Sequence, residues 1–185
     1  LDPGSVAHAA GGYTTELDRG VKGIRIGVIR HFYTRDMKAD PEVAAGIEAA
    51  VAKLAELGAE VREIQTAPLS EYLACNRTLL TSEAFAMHEK WMRERPQDYG
   101  ALARERIMAG AFVRAADYVN ATRLRRKMAD AFHALFSGID VAVTASSMDP
   151  PCRIDDPKAI DYTYGRQARA VFNITGGPAL SVPVG

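Results

Sequence analysis

Apolar and polar residues alternate with a period of two over residues 24–30, which predicts a β-strand. Asp40 and Pro41 then provide a helix N-cap and a proline at the first helical position. Apolar residues recur every three or four positions over 43–57, and a second strand is predicted over 60–64. A strand, a helix and a strand in this order predict a βαβ unit with parallel strands.

The middle of the chain is predicted to be helical. An apolar stripe with helical spacing covers residues 69–91, and Pro96 is expected to end that helix. The other predicted elements are helices over 102–113 and 117–136, a strand over 141–145, a proline-rich loop over 146–161, a helical segment over 164–172 and a last strand over 180–184.

Together these elements predict an α/β fold, with part of a mixed β-sheet flanked by helices and truncated at both ends. Residues 1–23 are rich in glycine and alanine and are expected to form an irregular N-terminal arm. Residues 24–185 are expected to form a single α/β domain. The chain opens on Leu1 without an initiator methionine and closes on Gly185, so both ends are expected to be cut.

Composition narrows the expected partners. The 185 residues include 23 Lys and Arg and 23 Asp and Glu, so the formal net charge is zero. This balance disfavours a nucleic-acid binder and a polybasic membrane-surface protein, and neither partner is expected. The sequence also lacks the run of about 18 apolar residues that a membrane helix needs. Since Cys75 and Cys152 cannot form a disulfide framework, a cytoplasmic location is expected.

No familiar cofactor or metal motif is present. The four histidines are scattered, and the sequence has neither a dinucleotide fingerprint nor a phosphate-binding loop, so no cofactor and no metal are expected. The basic cluster over 123–127 is interpreted as the solvated side of a helix rather than an anion site. Cys75 is interpreted as a packed apolar residue rather than a nucleophile.

Three polar residues stand out in the helical middle. Asn76 and Glu83 fall on the apolar stripe, where an unpaired polar group is costly, so each is expected to make a structural hydrogen bond. Arg106 lies among apolar residues and its guanidinium could emerge beside a pocket, although a surface arginine is the favoured interpretation of the pattern alone. The pattern by itself indicates an α/β domain of undefined activity.

Four short motifs follow one another along the chain. Residues 20–28 read Gly-Val-Lys-Gly-Ile-Arg-Ile-Gly-Val, 57–61 read Leu-Gly-Ala-Glu-Val, and 106–110 read Arg-Ile-Met-Ala-Gly. Residues 172–185 read Phe-Asn-Ile-Thr-Gly-Gly-Pro-Ala-Leu-Ser-Val-Pro-Val-Gly. In order and spacing these motifs resemble the amidase signature family, which includes amidases and the amidase-like component of glutamyl-tRNA amidotransferase.

The resemblance implies hydrolysis of a carboxamide C–N bond by a Ser-cisSer-Lys triad. Family members are much longer, and their triad lies on an upstream segment of the type Gly-Ser-Ser-Gly-Gly-Ser, which this sequence lacks. The chain is therefore expected to be a fragment without catalytic residues, inactive alone. Ser146 and Ser147 lack flanking glycines and are rejected as nucleophiles. The alternative is a non-catalytic binding or regulatory module that reuses this half of the fold.

The resemblance also implies substrate-binding residues. Arg106 matches the arginine that contacts the substrate carboxylate in glutamine-using members. Those members have an acid seven residues before the asparagine of the last motif; here Arg166 stands there, which favours an amide other than glutamine. Asn173 and Thr175 are expected at the substrate site, mainly as the frame of its wall. The expected partner of the full-length parent is a small-molecule amide. A sheet that is cut in half leaves unpaired strand edges and exposed apolar surface, so the isolated fragment is expected to self-associate.

Overall fold

The computed structural model describes residues 11–12 and 14–184. Its sheet contains the parallel strands β1 (Arg25–Val28), β2 (Glu60–Glu63) and β3 (Val141–Val143), in the order β2-β1-β3. The central strand β1 pairs Ile26 with Val61 on one side and with Val141 on the other. This sheet, flanked by helices, confirms the predicted α/β fold.

Six α-helices accompany the sheet in the described residues: α1 (Pro41–Glu56), α2 (Leu69–Glu94), α3 (Ala101–Met108), α4 (Ala115–Ala134), α5 (Pro157–Tyr164) and α6 (Ala170–Thr175). Helix α1 connects β1 to β2 and begins as predicted. The Asp40 carboxylate accepts the Glu42 N–H at 2.8 Å, and Pro41 is the first helical residue. The predicted βαβ unit is therefore confirmed, with parallel strands.

The hydrophobic core joins the sheet to helix α1 and to the group formed by helices α2, α4 and α6. Ile26 and Val28 of β1 are buried together with Ile47 and Val51 of α1. Helices α2, α4 and α6 pack against one another. Each of them contributes apolar side chains to the same core. These residues are Leu69, Tyr72, Cys75 and Leu79 of α2, Met128 and Phe132 of α4, and Val171 and Ile174 of α6.

The stripe predicted over residues 69–91 is buried only in its first part. Leu80, Met87 and Trp91 are exposed, so the second half of α2 presents apolar side chains to solvent. Helix α3 and the 3-10 turn that follows it pack against α2, but neither covers this line of residues.

Three sequence predictions are wrong in the C-terminal third. Residues 180–184 form no strand, because no neighbouring strand pairs with them in the described part of the chain. Helix α5 begins inside the predicted loop, where the Asp156 carboxylate accepts the N–H groups of Lys158 and Ala159. The helix predicted over 164–172 is interrupted by the non-helical residues 165–169.

The N-terminal region is described only in part. Residues 1–10 and residue 13 lie outside the described residues, as does Gly185. Leu17–Arg19 form one 3-10 turn before β1. The division into an arm over 1–23 and a domain over 24–185 stays a prediction.

Candidate functional site

A cleft of about 240 Å³ opens where α2, α4 and α6 meet. Its lining residues are Asn76, Leu79, Leu80 and Glu83 of α2, Arg125 of α4, and Asn173 and Ile174 of α6; we call it the α2/α4/α6 cleft. Leu79 and Ile174 are buried core residues, so the floor of the cleft is continuous with the core. The other lining residues are Leu80, which is exposed, and the polar residues Asn76, Glu83, Arg125 and Asn173.

Two hydrogen bonds orient the charged groups of the cleft. The Tyr118 hydroxyl donates to Glu83 Oε1 at 3.2 Å, which confirms the structural hydrogen bond expected for Glu83. Arg125 Nε donates to the Ile174 carbonyl at 3.2 Å, near the C-terminal end of α6, where a positive charge is favoured. The carboxylate and the guanidinium are thus positioned by groups of the neighbouring helices.

Arg106 occupies a different setting. It lies on α3, is half-buried, and places its guanidinium carbon 3.7 Å from the centroid of the Tyr164 ring. This is a cation–π contact between α3 and the last residue of α5. Arg106 is not among the residues that line the α2/α4/α6 cleft. The structure therefore places Asn173 beside Asn76 and Glu83, while Arg106 is held separately.

The motif residues near the C-terminus differ in accessibility. Asn173 is exposed and lines the cleft. Thr175 is buried, with Oγ1 3.5 Å from the Phe172 carbonyl oxygen. Gly176 follows in the left-handed region at φ 74° and ends α6, as expected of a glycine in this turn. The substrate-binding roles of Arg106, Asn173 and Thr175 stay predictions.

Arg166 is engaged in the fold. Its Nε donates to Asp149 Oδ2 at 2.7 Å, and its Nη2 donates to the Lys38 carbonyl at 2.9 Å. The hydrogen bond to Asp149 raises the pKa of the Arg166 guanidinium above its usual value, so the side chain stays charged. These contacts join the loop before α6 to the loop after β3 and to the segment before α1.

Ser147 and Cys75, which are not expected to be nucleophiles, make structural hydrogen bonds. Ser147 Oγ donates to the Asp149 carbonyl at 3.1 Å and accepts the Asp149 N–H at 3.3 Å, an arrangement that stabilises a turn. Cys75 is buried, its Sγ donates to the Ala121 carbonyl at 3.3 Å, and burial raises the pKa of its thiol. A thiol held protonated in this way is a poor nucleophile.

Arg125 is the residue that sequence reasoning missed. It is exposed on α4, as predicted for the cluster over 123–127, but its side chain also reaches across to α6, and this contact was not expected. The signal was present in the spacing: Ala121, Met128 and Phe132 are buried, and position 125 continues that i, i+4, i+7 series. Arg125 therefore stands at the edge of the packed face, where a long side chain can contact the neighbouring helix.

Two features are absent from residues 11–12 and 14–184. No group of three or more His, Cys, Asp and Glu side chains is arranged to hold a metal ion. None of the helices described combines the length and the apolar character needed to cross a bilayer.

Comparisons with known proteins define the class. The Amidase family model matches residues 2–185. An amidase from Pseudomonas putida is 31% identical over 193 residues, which cover 100% of this chain and 41% of that protein. A component of the glutamyl-tRNA(Gln) amidotransferase from Chlorobaculum tepidum is 32% identical over 214 residues, which cover 100% of this chain and 44% of that protein.

Solved structures agree in fold. A chain from a vestigial protein complex, described in connection with the origins of an s-triazine catabolic enzyme, has a TM-score of 0.74 and 28% identity over 84% of this chain and 33% of its own length. A bacterial aryl acylamidase of the amidase signature family has a TM-score of 0.71 over 92% of this chain and 39% of its own; at 17% identity it shows the fold alone.

The fold is therefore that of the amidase signature enzymes, as the sequence motifs suggested. The chain belongs to the Amidase family. It spans about two fifths of the length of the curated relatives that it matches.

Proposed function

We propose that this chain is the substrate-facing part of a hydrolase that cleaves a carboxamide C–N bond. The observation that carries the proposal is the match of the Amidase family model to residues 2–185. A relative named amidase is 31% identical across the whole chain, which supports the same reaction class. Because the sequence contains no Gly-Ser-Ser-Gly-Gly-Ser segment and corresponds to 41% of that relative, we assign the catalytic groups to residues outside it.

The proposed mechanism uses a Ser-cisSer-Lys triad. The nucleophilic serine attacks the carboxamide carbon while the second serine takes its proton and passes it towards the lysine. Backbone N–H groups stabilise the oxyanion, the amine leaves with a proton, and water then hydrolyses the acyl-serine to release the carboxylate. Ser147 and Cys75 are engaged in structural hydrogen bonds, which supports placing the nucleophile elsewhere.

Within this chain, Arg106, Asn173 and Thr175 are the proposed substrate-site residues. Arg106, stacked on Tyr164, presents a positive charge that suits an anionic substituent of the substrate. Asn173 presents its amide at the α2/α4/α6 cleft, and the buried Thr175 shapes the end of α6 that carries it.

The positive charge of Arg166 indicates which kind of amide the enzyme hydrolyses. It stands where the glutamine-using members of the family are expected to have an acid that binds the substrate ammonium, and a guanidinium repels that group. Its contacts with Asp149 and Lys38 keep the charge in place. We therefore propose a small-molecule amide other than glutamine, hydrolysed in the cytoplasm by an enzyme that needs no bound cofactor.

Labelling with a sulfonyl fluoride tests the proposal. A longer protein, containing this chain and the preceding coding sequence, is assayed for hydrolysis of a small amide before and after treatment, and the modified residue is located by peptide mass spectrometry. We expect loss of activity and one modified serine outside residues 1–185. Modification of Ser146 or Ser147 with loss of activity would contradict the proposal.

A further inference from the structure

We infer that the α2/α4/α6 cleft is a binding subsite for a neutral group that both donates and accepts hydrogen bonds, such as a carboxamide or a urea. This inference rests on the proposed function and names a part of the ligand that this chain would bind. Asn173 was expected from its motif, and Asn76 and Glu83 share one face of α2 by their spacing. These residues and Arg125 come to the same place through helix packing.

The hydrogen-bonding groups of the cleft match those of a carboxamide. The Glu83 carboxylate only accepts hydrogen bonds, and the Arg125 guanidinium only donates them. The side-chain amides of Asn76 and Asn173 do both. A carboxamide offers two N–H donors and a carbonyl acceptor, so it can pair with both kinds of group at once.

The charges of the cleft favour a neutral ligand. Glu83 and Arg125 carry opposite charges and both line the cleft. An anion attracted by Arg125 would meet the carboxylate of Glu83, and a cation attracted by Glu83 would meet the guanidinium. Tyr118 and the Ile174 carbonyl orient the two charged side chains, which reduces their freedom to turn away.

The size and the floor of the cleft set a limit on the ligand. A volume of about 240 Å³ lies below the range of about 300–1,000 Å³ that is typical of complete small-molecule pockets. Leu79, Leu80 and Ile174 supply apolar surface beside the polar groups. The cleft therefore suits one polar group with a short aliphatic neighbour, as one part of a larger substrate.

An NMR titration of the 15N-labelled 185-residue chain tests the subsite. Propionamide is the probe, and the nearly isosteric propionate is its charged counterpart. We expect propionamide to shift backbone resonances of residues 76–83, 125 and 173–174, and propionate to bind more weakly. Asn76→Leu and Asn173→Leu should each weaken propionamide binding about fivefold, the effect of losing one hydrogen bond.

Asn120→Leu is the matched control, since Asn120 is exposed on α4 and does not line this cleft. It should leave the dissociation constant unchanged, and the spectrum of each free variant shows whether it is folded. If Asn173→Leu fails to fold, Asn76→Leu still tests the subsite. Absence of shifts at the cleft, equal binding of propionate, or equal weakening by Asn120→Leu would overturn the inference.

A separate measurement, amide hydrolysis by the longer protein, tests the proposed function. If the longer protein hydrolyses an amide but propionamide causes no shift at the cleft, the subsite is contradicted and the hydrolase is supported. Propionamide binding at the cleft without hydrolysis by the longer protein would support the subsite and contradict the hydrolase.

Discussion

His31 Nδ1 lies 2.9 Å from Asp36 Oδ2, and the same carboxylate oxygen accepts the Leu69 N–H at 2.8 Å. The Thr66 N–H donates to His31 Nε2 at 3.3 Å, so the proton of the neutral imidazole belongs on Nδ1, facing Asp36. The two side chains are 3% and 9% exposed. This pair joins the turn after β1 to the first residue of α2, the helix that forms one wall of the cleft.

Asp36→Ala should lower the free energy of unfolding by about 3 kcal/mol. The substitution leaves His31 Nδ1–H and the Leu69 N–H without their acceptor, at about 1–3 kcal/mol for each buried donor. Urea denaturation measures the change. Asp130→Ala, at an exposed position on α4, is the control and should stay within about 0.5 kcal/mol of the parent. Equal losses in the two variants would contradict the role of the pair.

Stability should fall in acid. Burial alone would raise the pKa of Asp36, but hydrogen bonds from Leu69, His31 and Arg35 outweigh it and hold the pKa below the usual 3.8. The Arg25 side chain holds the pKa of Asp140 at about 2. A carboxyl whose pKa is lower in the folded state stabilises the fold above its unfolded pKa, and that stabilisation is lost as pH falls through the folded pKa.

The free energy of unfolding is therefore expected to decrease as pH falls from about 4 towards 2. Urea denaturation across this range measures it. Asp36→Asn, which does not titrate, should have a shallower pH dependence than the parent. A parent protein that becomes more stable over this range would contradict the assignment.

Gly110 marks a close approach between α2 and the turn after α3. A Cβ at this position would overlap the Thr81 carbonyl oxygen and lie 2.6 Å from Phe85 Cβ. Because backbone must move to relieve the overlap, Gly110→Ala should cost about 3 kcal/mol of stability. Gly165→Ala has open space around the added methyl group and serves as the control. Similar urea midpoints for the two variants would show that α2 and this turn are not so closely packed.

The stacking of Arg106 on Tyr164 makes a prediction about selectivity in the longer protein. Arg106→Ala should raise KM at least about tenfold for an amide that carries a carboxylate, because a hydrogen bond to a charged group is lost, and should change KM little for an uncharged amide. Tyr164→Phe keeps the ring and should resemble the parent, whereas Tyr164→Leu should resemble Arg106→Ala in part. Equal effects on both amides would contradict a selectivity role.

The isolated chain should self-associate. Leu180 is 87% exposed and Val182 is also exposed, in a segment that has no strand partner in the described structure. The outer edge of β3, where Val141 is exposed, has no neighbour in the described sheet. Sedimentation velocity should show oligomers that decrease when Leu180 and Val182 are both changed to Ser. A monomer at high concentration would contradict this expectation.

Local signals were sufficient for the first half of the fold. The N-cap at Asp40 and the alternation in β1 depend on neighbouring residues, so the βαβ unit could be predicted. The same Asp-Pro signal for a helix start occurs at Asp156 and Pro157, where α5 begins. The neighbouring prolines favoured a loop there, so this helix start was not predicted. The alternation over 180–184 was misleading, because a strand needs a partner that local sequence cannot specify.

The candidate site was less predictable than the fold. Asn76 and Glu83 could be noticed as polar residues on an apolar stripe, and Asn173 from its motif. Their meeting with Arg125 depends on how α2, α4 and α6 pack, and helix packing is a tertiary property that spacing along one helix does not reveal.

Ammonia release from a panel of simple primary amides tests the proposed hydrolase most directly. The assay compares the 185-residue chain with the longer protein that includes the preceding coding sequence, after circular dichroism has shown both to be folded. We expect ammonia only from the longer protein, since this chain carries the substrate-facing wall and the nucleophile lies elsewhere. Ammonia from the 185-residue chain alone, or from neither protein, would contradict the proposed division of the enzyme.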